Sequence, residues 1–61
     1  MNCFIAEIDE DMDGWFGWAA ELDKTDHVLC DTWTPRFEKR KTAVDGIRAV
    51  ANKRKWDVEV G

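Results

Sequence analysis

This chain contains one amphipathic helical segment, which limits the fold to a sheet with helical cover on a single side. The segment spans residues 39–54 (KRKTAVDGIRAVANKR), and apolar residues recur along it at helical spacing. These residues are Ala43, Val44, Ile47, Val50 and Ala51. With 61 residues there is room for one domain, residues 1–61, because so short a chain buries only about 60% of its unfolded surface.

Three segments before the helix alternate between apolar and polar residues, as strands do. They span residues 3–8, 15–22 and 27–34, and Asp13-Gly14 between the first two is a common hairpin signal. In the second segment Phe16, Trp18, Ala20 and Leu22 share one face, which we expect the helix to cover, leaving Trp15 outside. Residues 56–60 alternate again. We therefore predict an α+β fold: an antiparallel three-stranded meander, one helix packed on one face and a short C-terminal strand.

The formal net charge of -4 conceals two oppositely charged halves. Residues 1–31 carry nine acids and one base, a sum of -8, and residues 32–61 carry eight bases and four acids, a sum of +4. A strongly acidic half favours partners with a basic surface and makes direct nucleic-acid binding by the whole chain unfavourable. The basic residues of the helical segment leave nucleic-acid contact as a lesser alternative to a solvated helix face.

The acidic stretch DEDMDG, residues 9–14, has three interpretations. Asp9, Asp11, Asp13 and Gly14 match the first half of a calcium-binding loop, but position 12 of that loop would be Ala20, and the flanks alternate like strands. A solvated hairpin turn is the simplest interpretation. The third is a phosphate mimic, in which closely spaced carboxylates occupy the basic groove of a nucleic-acid-binding protein.

Metal-binding and catalytic patterns are weak. His27, Cys30 and Cys3 could supply three zinc ligands, but the paired spacing of structural zinc sites is missing. For nucleophilic catalysis, only these two cysteines and His27 could serve as nucleophile and base. We therefore expect no enzyme, metal or cofactor. No secretory signal or apolar run of about 20 residues is present, which favours a cytoplasmic protein with reduced thiols and no membrane partner.

Part of the chain resembles the YegP-like family of small bacterial proteins. The resemblance covers roughly residues 4–54 and lies in Trp15-x-x-Trp18, in residues 29–32 (LCDT), and in Phe37 followed by residues 42–50 (TAVDGIRAV). It implies a three-stranded sheet with a packed helix, and single-repeat members that pair. Glu38 and Lys39 and the acidic first turn depart from the family pattern, and the family implies no catalytic residues.

These observations predict a non-catalytic acidic interaction protein that inhibits or regulates a nucleic-acid-binding protein. A phage-type inhibitor of a bacterial defence complex, such as an anti-CRISPR protein, is one instance. The alternative is a self-pairing structural module of the YegP-like kind. The expected partner-binding residues are carboxylates of two polar turns, residues 9–14 and 23–26, with Trp15 as an apolar anchor. They are Asp9, Glu10, Asp11, Asp13, Trp15, Asp23 and Asp26.

Overall fold

The computed structural model describes residues 2–58, which form three antiparallel strands and one helix. Strand β1 spans Cys3–Asp11, β2 spans Gly14–Leu22, β3 spans Val28–Trp33, and helix α1 spans Arg40–Lys53. The strands form an open sheet in the order β1-β2-β3. The predicted α+β meander with one helix is therefore confirmed for this part of the chain.

The β1–β2 hairpin sets the register of the sheet. Asp11 pairs with Gly14, so the loop consists of Met12 and Asp13 alone. Gly14, directly after the two loop residues, has a φ of 130°, which side-chain-bearing residues rarely adopt, so this position favours glycine. Because the loop has an even number of residues, even-numbered residues of β1 face odd-numbered residues of β2. Ala6 thus lies opposite Ala19, and Ile8 lies opposite Gly17.

The helix covers the face of β2 opposite to the one that the sequence predicts. Ala19 and Ile47 form the buried core between helix and sheet, and Ala6 and Ile8 of β1 pack against it. Of the four residues predicted to face inward, Ala20 and Leu22 are also buried. By strand alternation, Phe16 and Trp18 therefore point away from the helix. The prediction placed the bulkiest residues of β2 inside, but the register aligns the apolar face of β1 with the small residues of β2, and small residues allow the helix to approach.

The contact between helix and sheet is close. A Cβ atom added to Gly17 would lie 2.6 Å from Cβ of Ile47, so only hydrogen fits there. On the helix, a Cβ atom at Gly46 would meet the Phe37 ring at 3.3 Å and the Thr34 methyl group at 3.4 Å. The absence of a side chain at Gly46 thus lets this part of α1 pack closely against Thr34 and Phe37.

The segment after β3 extends the sheet hydrogen bonding past the end of the strand. The Thr34 N–H donates to the carbonyl of Gly17 at 2.8 Å, and the buried Thr34 hydroxyl accepts the Gly17 N–H at 2.8 Å. Trp15 and Phe37 then exchange two backbone hydrogen bonds of 2.8 and 2.7 Å. Pro35 separates these two pairings and lacks an N–H, as expected for the residue that ends the strand.

The helix ends in a left-handed turn, and residues 56–58 are not in a strand. Lys55 has a φ of 60°, and the Trp56 N–H donates to the carbonyl of Ala51 at 2.8 Å, the pattern of a Schellman motif. This turn places the Trp56 ring on Phe4, with 5.7 Å between ring centroids. The predicted C-terminal strand is thus wrong for residues 56–58, and its last two residues, 59 and 60, lie outside the described residues.

The two thiols are far apart in the sheet. Cys3 lies opposite Leu22, and Cys30 lies opposite Glu21, so strand β2 separates them and they point to opposite faces. Both cysteines are exposed. Both are also free, because this placement exceeds the reach of a disulfide. Within residues 2–58, no helix has the length and apolar character required to cross a membrane.

Candidate functional site

The sheet side away from α1, which we call the open face, carries a cluster of three aromatic rings. Phe16 and Trp18 come from β2 and Trp33 from β3, and Trp33 pairs directly with Trp18 across the strands. The Trp33 ring lies 5.8 Å from Trp18 and 5.9 Å from Phe16, within the usual range for aromatic pairs. Among the described residues no further element packs on this side, and 56% of Trp33 is exposed. Exposed aromatic clusters of this kind are typical of binding surfaces.

Carboxylates of β1 border the aromatic cluster. Glu7 lies opposite Trp18 and Asp9 lies opposite Phe16, so both acids are on the open face. Together with the three rings they line a shallow groove of about 340 Å³. Asp31 of β3 borders the other side, where its Oδ2 lies 3.4 Å from the Trp18 indole nitrogen. The groove therefore combines apolar ring faces with negative charge.

Arg36 occupies one end of the open face. Its guanidinium lies 3.9 Å from the centroid of the Phe16 ring and donates two hydrogen bonds, of 2.9 and 2.6 Å, to Oδ2 of Asp11. The hydrogen bond from Arg36 is the main reason that the pKa of Asp11 lies below its usual value, and the same bond raises the pKa of Arg36. Arg36 thus carries positive charge ahead of the helix and neutralises Asp11, one of the predicted contact acids.

The remaining predicted acids of the first turn point in different directions. Asp9 lies on the open face, whereas Glu10 lies opposite Trp15 on the other side of the sheet. Asp13 is exposed in the loop, and its N–H donates to Oδ1 of Asp11 at 2.9 Å. Asp9, Asp11 and Asp13 thus border one end of the open face, and Glu10 does not belong to it.

Asp23 and Asp26 lie in the β2–β3 turn, at the far end of the sheet. The nine residues of β2 separate them from the first turn, which corresponds to about 27 Å. Oδ1 of Asp23 accepts hydrogen bonds from the hydroxyl and N–H of Thr25 and from the N–H of His27, at 2.7–3.0 Å. The Thr25 hydroxyl is the first cause of the lowered pKa of Asp23. Asp23 therefore organises its own turn, and Asp26 has the positive φ of 65° that this turn requires.

Trp15 lies on the helix side of the sheet, which corrects its predicted position. It shares the β2 face of Gly17 and is half-buried, and its backbone is paired with Phe37. The expectation of an uncovered Trp15 depended on the inverted faces of β2. Trp33 and Trp18, and not Trp15, are the tryptophans on the sheet side that the helix leaves uncovered.

The candidate metal and nucleophile residues do not form a site. Among residues 2–58 no three His, Cys, Asp or Glu side chains lie where they could hold one metal ion. The Nδ1 atom of His27 contacts the Thr25 hydroxyl at 2.7 Å, and the Cys30 thiol accepts a hydrogen bond from Arg54 at 3.3 Å. His27 and Cys30 are therefore engaged with different groups.

Sequence reasoning missed Glu7, Trp33 and Arg36 as members of the site. The missing step was the register, because any two-residue β1–β2 loop brings Glu7 and Asp9 to the same face as Phe16 and Trp18. Comparison with family models, with curated proteins and with solved structures found no match to this chain. The resemblance to the YegP-like family stays a prediction.

Proposed function

We propose that this chain is a non-catalytic interaction protein that acts in the cytoplasm and binds a nucleic-acid-binding protein through its open face. By occupying the basic surface of that partner, it keeps nucleic acid away. A phage-type inhibitor of a bacterial defence complex, of the anti-CRISPR kind, is one form that such a protein takes. The observation that carries the proposal is the cluster of Phe16, Trp18 and the exposed Trp33 on the uncovered side of the sheet, bordered by carboxylates.

The aromatic rings support binding to a protein. Tryptophan is enriched among the residues that dominate interface energies, and these residues are found near the centre of an interface with polar groups around them. On the open face, Trp18 lies on the central strand β2, with Trp33 beside it on β3 and acids along β1. A helix packed on the other side of the sheet would have buried these rings. Because they lie on the uncovered side, we infer that they contact a partner.

The spacing of the acids supports competition with nucleic acid. Glu7, Asp9 and Asp11 occupy every second position of β1, so their Cα atoms repeat at about 6.8 Å along the strand. Phosphates of one DNA strand advance by about 3.4 Å along the helix axis, so the carboxylates of β1 form a row of negative charge on a comparable length scale. Because Arg36 neutralises Asp11, the charge offered to a partner comes from Glu7, Asp9 and Asp13.

A competitive elution experiment tests the proposal. The immobilised chain is exposed to bacterial lysate, and bound proteins are eluted with duplex DNA at constant ionic strength and identified by mass spectrometry. We expect nucleic-acid-binding proteins that DNA displaces and that salt above about 0.5 M also releases, because exposed charges are screened. Bound proteins that DNA leaves in place, or that lack nucleic-acid-binding activity, would contradict the proposal.

A matched pair of variants locates the contact. Glu7→Gln with Asp9→Asn removes two charges from the open face and should abolish capture. Glu10→Gln with Asp57→Asn removes two exposed charges elsewhere and should leave capture intact. Equal loss in both double variants would show that net charge matters and the open face does not.

Self-pairing is a second candidate, favoured by the apolar side chains of strand β3. Val28, Leu29 and Trp33 are 52%, 55% and 56% exposed. Only β2 pairs with β3 within residues 2–58, so its outer edge can accept a strand from a second copy. Sedimentation equilibrium distinguishes the candidates: a particle of about twice 7.1 kDa that Leu29→Lys returns to monomer supports pairing, and a wild-type mass of 7.1 kDa contradicts it.

A further inference from the structure

We propose that the groove of the open face is an arginine-binding site, which receives a guanidinium group from the protein partner between the aromatic rings and the carboxylates of β1. This inference rests on the proposed function and specifies which chemical group of the partner is recognised. The site consists of Trp18 and Trp33 as ring surfaces and of Glu7 and Asp9 as hydrogen-bond acceptors.

The geometry of the groove suits a planar cation. The Trp18 and Trp33 rings are tilted by 45° with 5.8 Å between their centroids, so they form two adjoining walls and do not stack flat on each other. Glu7 and Asp9 lie directly opposite Trp18 and Phe16 in the register. A volume of about 340 Å³ is larger than one guanidinium group, and it leaves room for the methylene stem and part of the adjoining backbone.

The chain contains an example of the proposed contact at the end of the same face. Arg36 places its guanidinium 3.9 Å over the Phe16 ring while donating to Oδ2 of Asp11. One step along the sheet, the same combination of ring and carboxylate is present with Asp9 and Glu7 beside the two tryptophans. These two carboxylates are exposed, and no ion pair of theirs is present among residues 2–58.

Arginine fits this groove better than lysine or a neutral group. A guanidinium presents a flat face to aromatic rings and a fork of donors to carboxylates, whereas an ammonium is a compact and strongly hydrated charge. A neutral ligand would remove water from Glu7 and Asp9 without replacing their hydrogen bonds, which is unfavourable. The groove therefore selects for positive charge and, among positive groups, for planarity.

Peptide titrations followed by NMR test the inference directly. The probes are acetylated, amidated pentapeptides with the sequences GRGRG and GKGKG, and the version with citrulline in place of arginine. We expect the arginine peptide to shift the indole N–H signals of Trp18 and Trp33, with the signal of Trp56 on the helix side unchanged. The lysine peptide should bind at least threefold more weakly, and the neutral citrulline peptide should not bind detectably. Equal binding of arginine and citrulline peptides would overturn the inference.

Substitutions in the groove provide a second test of arginine binding. Trp33→Ala should weaken the arginine peptide about two- to fivefold, the effect of one cation–π contact at an exposed site. Asp9→Asn should weaken it by a similar factor, whereas Glu10→Gln, which removes the same charge from the other side of β1, should not. Equal effects of Asp9→Asn and Glu10→Gln would overturn the inference in favour of unspecific attraction.

The outcomes separate this inference from the proposed function. If arginine peptides bind the groove but DNA displaces none of the proteins captured from lysate, the arginine site stands and the nucleic-acid-related function fails. If DNA displaces the captured proteins but the peptides leave Trp18 and Trp33 unaffected, the function stands and the arginine site fails. A wild-type dimer that Trp33→Ala dissociates would show that a second copy covers the groove, which also overturns the inference.

Discussion

Substituting alanine for Gly17 tests the contact on which the arrangement of the two sheet faces depends. The new Cβ atom would lie 2.6 Å from Cβ of Ile47, 3.1 Å from its Cγ2 and 3.2 Å from the carbonyl oxygen of Ala43. Ordinary carbon–carbon contacts are about 3.5–4.0 Å, so α1 would have to move away from β2 by roughly 1 Å. Ile47 cannot avoid this clash by rotating a side chain, because its Cβ atom is fixed to the helix backbone.

We expect this substitution to lower the free energy of unfolding by about 1–3 kcal/mol, the usual cost of overpacking. At about 0.05–0.15 kcal/mol per residue a chain of this length has roughly 3–9 kcal/mol in total, so the loss is a large share. For a domain of this size each kcal/mol corresponds to about 4–8 °C in Tm. Urea unfolding followed by tryptophan fluorescence, with Tm from circular dichroism, measures both quantities.

Gly46→Ala is the matched control on the helix. Its Cβ atom would meet the Phe37 ring at 3.3 Å and the Thr34 methyl group at 3.4 Å, contacts that small side-chain shifts can relieve. Alanine also favours the helix by about 1 kcal/mol, so the net change should be below 1 kcal/mol in magnitude. If Gly17→Ala is as stable as wild type or more stable, the helix does not cover this face, because alanine at an open strand position is favourable.

Three further changes test contacts elsewhere in the fold. Thr34→Val removes the hydroxyl that accepts the buried Gly17 N–H, and it should cost about 1–3 kcal/mol in urea unfolding; unchanged stability would contradict the hydrogen bond. Lys55→Gly should raise stability by about 1 kcal/mol in the same assay because glycine adopts the left-handed φ of 60° without strain, and a loss would contradict this helix end. Because Arg36 lowers the pKa of folded Asp11, their pairing stabilises the fold above the unfolded pKa of about 3.9 and is lost as the pH falls through the lower folded pKa. Between about pH 5 and pH 3, Tm should therefore fall less for Asp11→Asn than for wild type, and equal falls would contradict the pairing.

The element order could be predicted from the sequence because each element has its own local signal. Strand alternation, the Asp13-Gly14 turn and the helical spacing around Ile47 require no knowledge of the rest of the chain. The end of β3 was predictable for the same reason, since Pro35 cannot donate to the sheet.

The faces of β2 were not predictable from residue size. The prediction placed Phe16 and Trp18 inside because burying large rings is favourable. The actual core contains Ala19 and Ile47, with Gly17 allowing the close approach, so fit between helix and sheet outweighs the bulk of the rings. The hairpin register carries this information, but it becomes useful only when both strands are considered together.

The site could be predicted in part. Asp9 borders the groove, as the acidic first turn suggested, but Asp11 is paired with Arg36, which lies 25 residues further along the chain. Asp23 shows a second limit, because its carboxylate is engaged by Thr25 and His27 within its own turn. Sequence shows where charge is abundant, whereas contacts decide which charges remain available to a partner.

The most direct test is a nuclear Overhauser measurement of which residues contact the Ile47 methyl groups in solution. Both the binding surface and the arginine site require that the helix covers Gly17 and Ala19 and leaves the opposite side of the sheet, with its aromatic rings, uncovered. We expect cross-peaks from the Ile47 methyl groups to the α-protons of Gly17 and to the methyl group of Ala19. Cross-peaks to the rings of Phe16 and Trp18 instead would place the helix on the opposite face and remove the basis of both proposals.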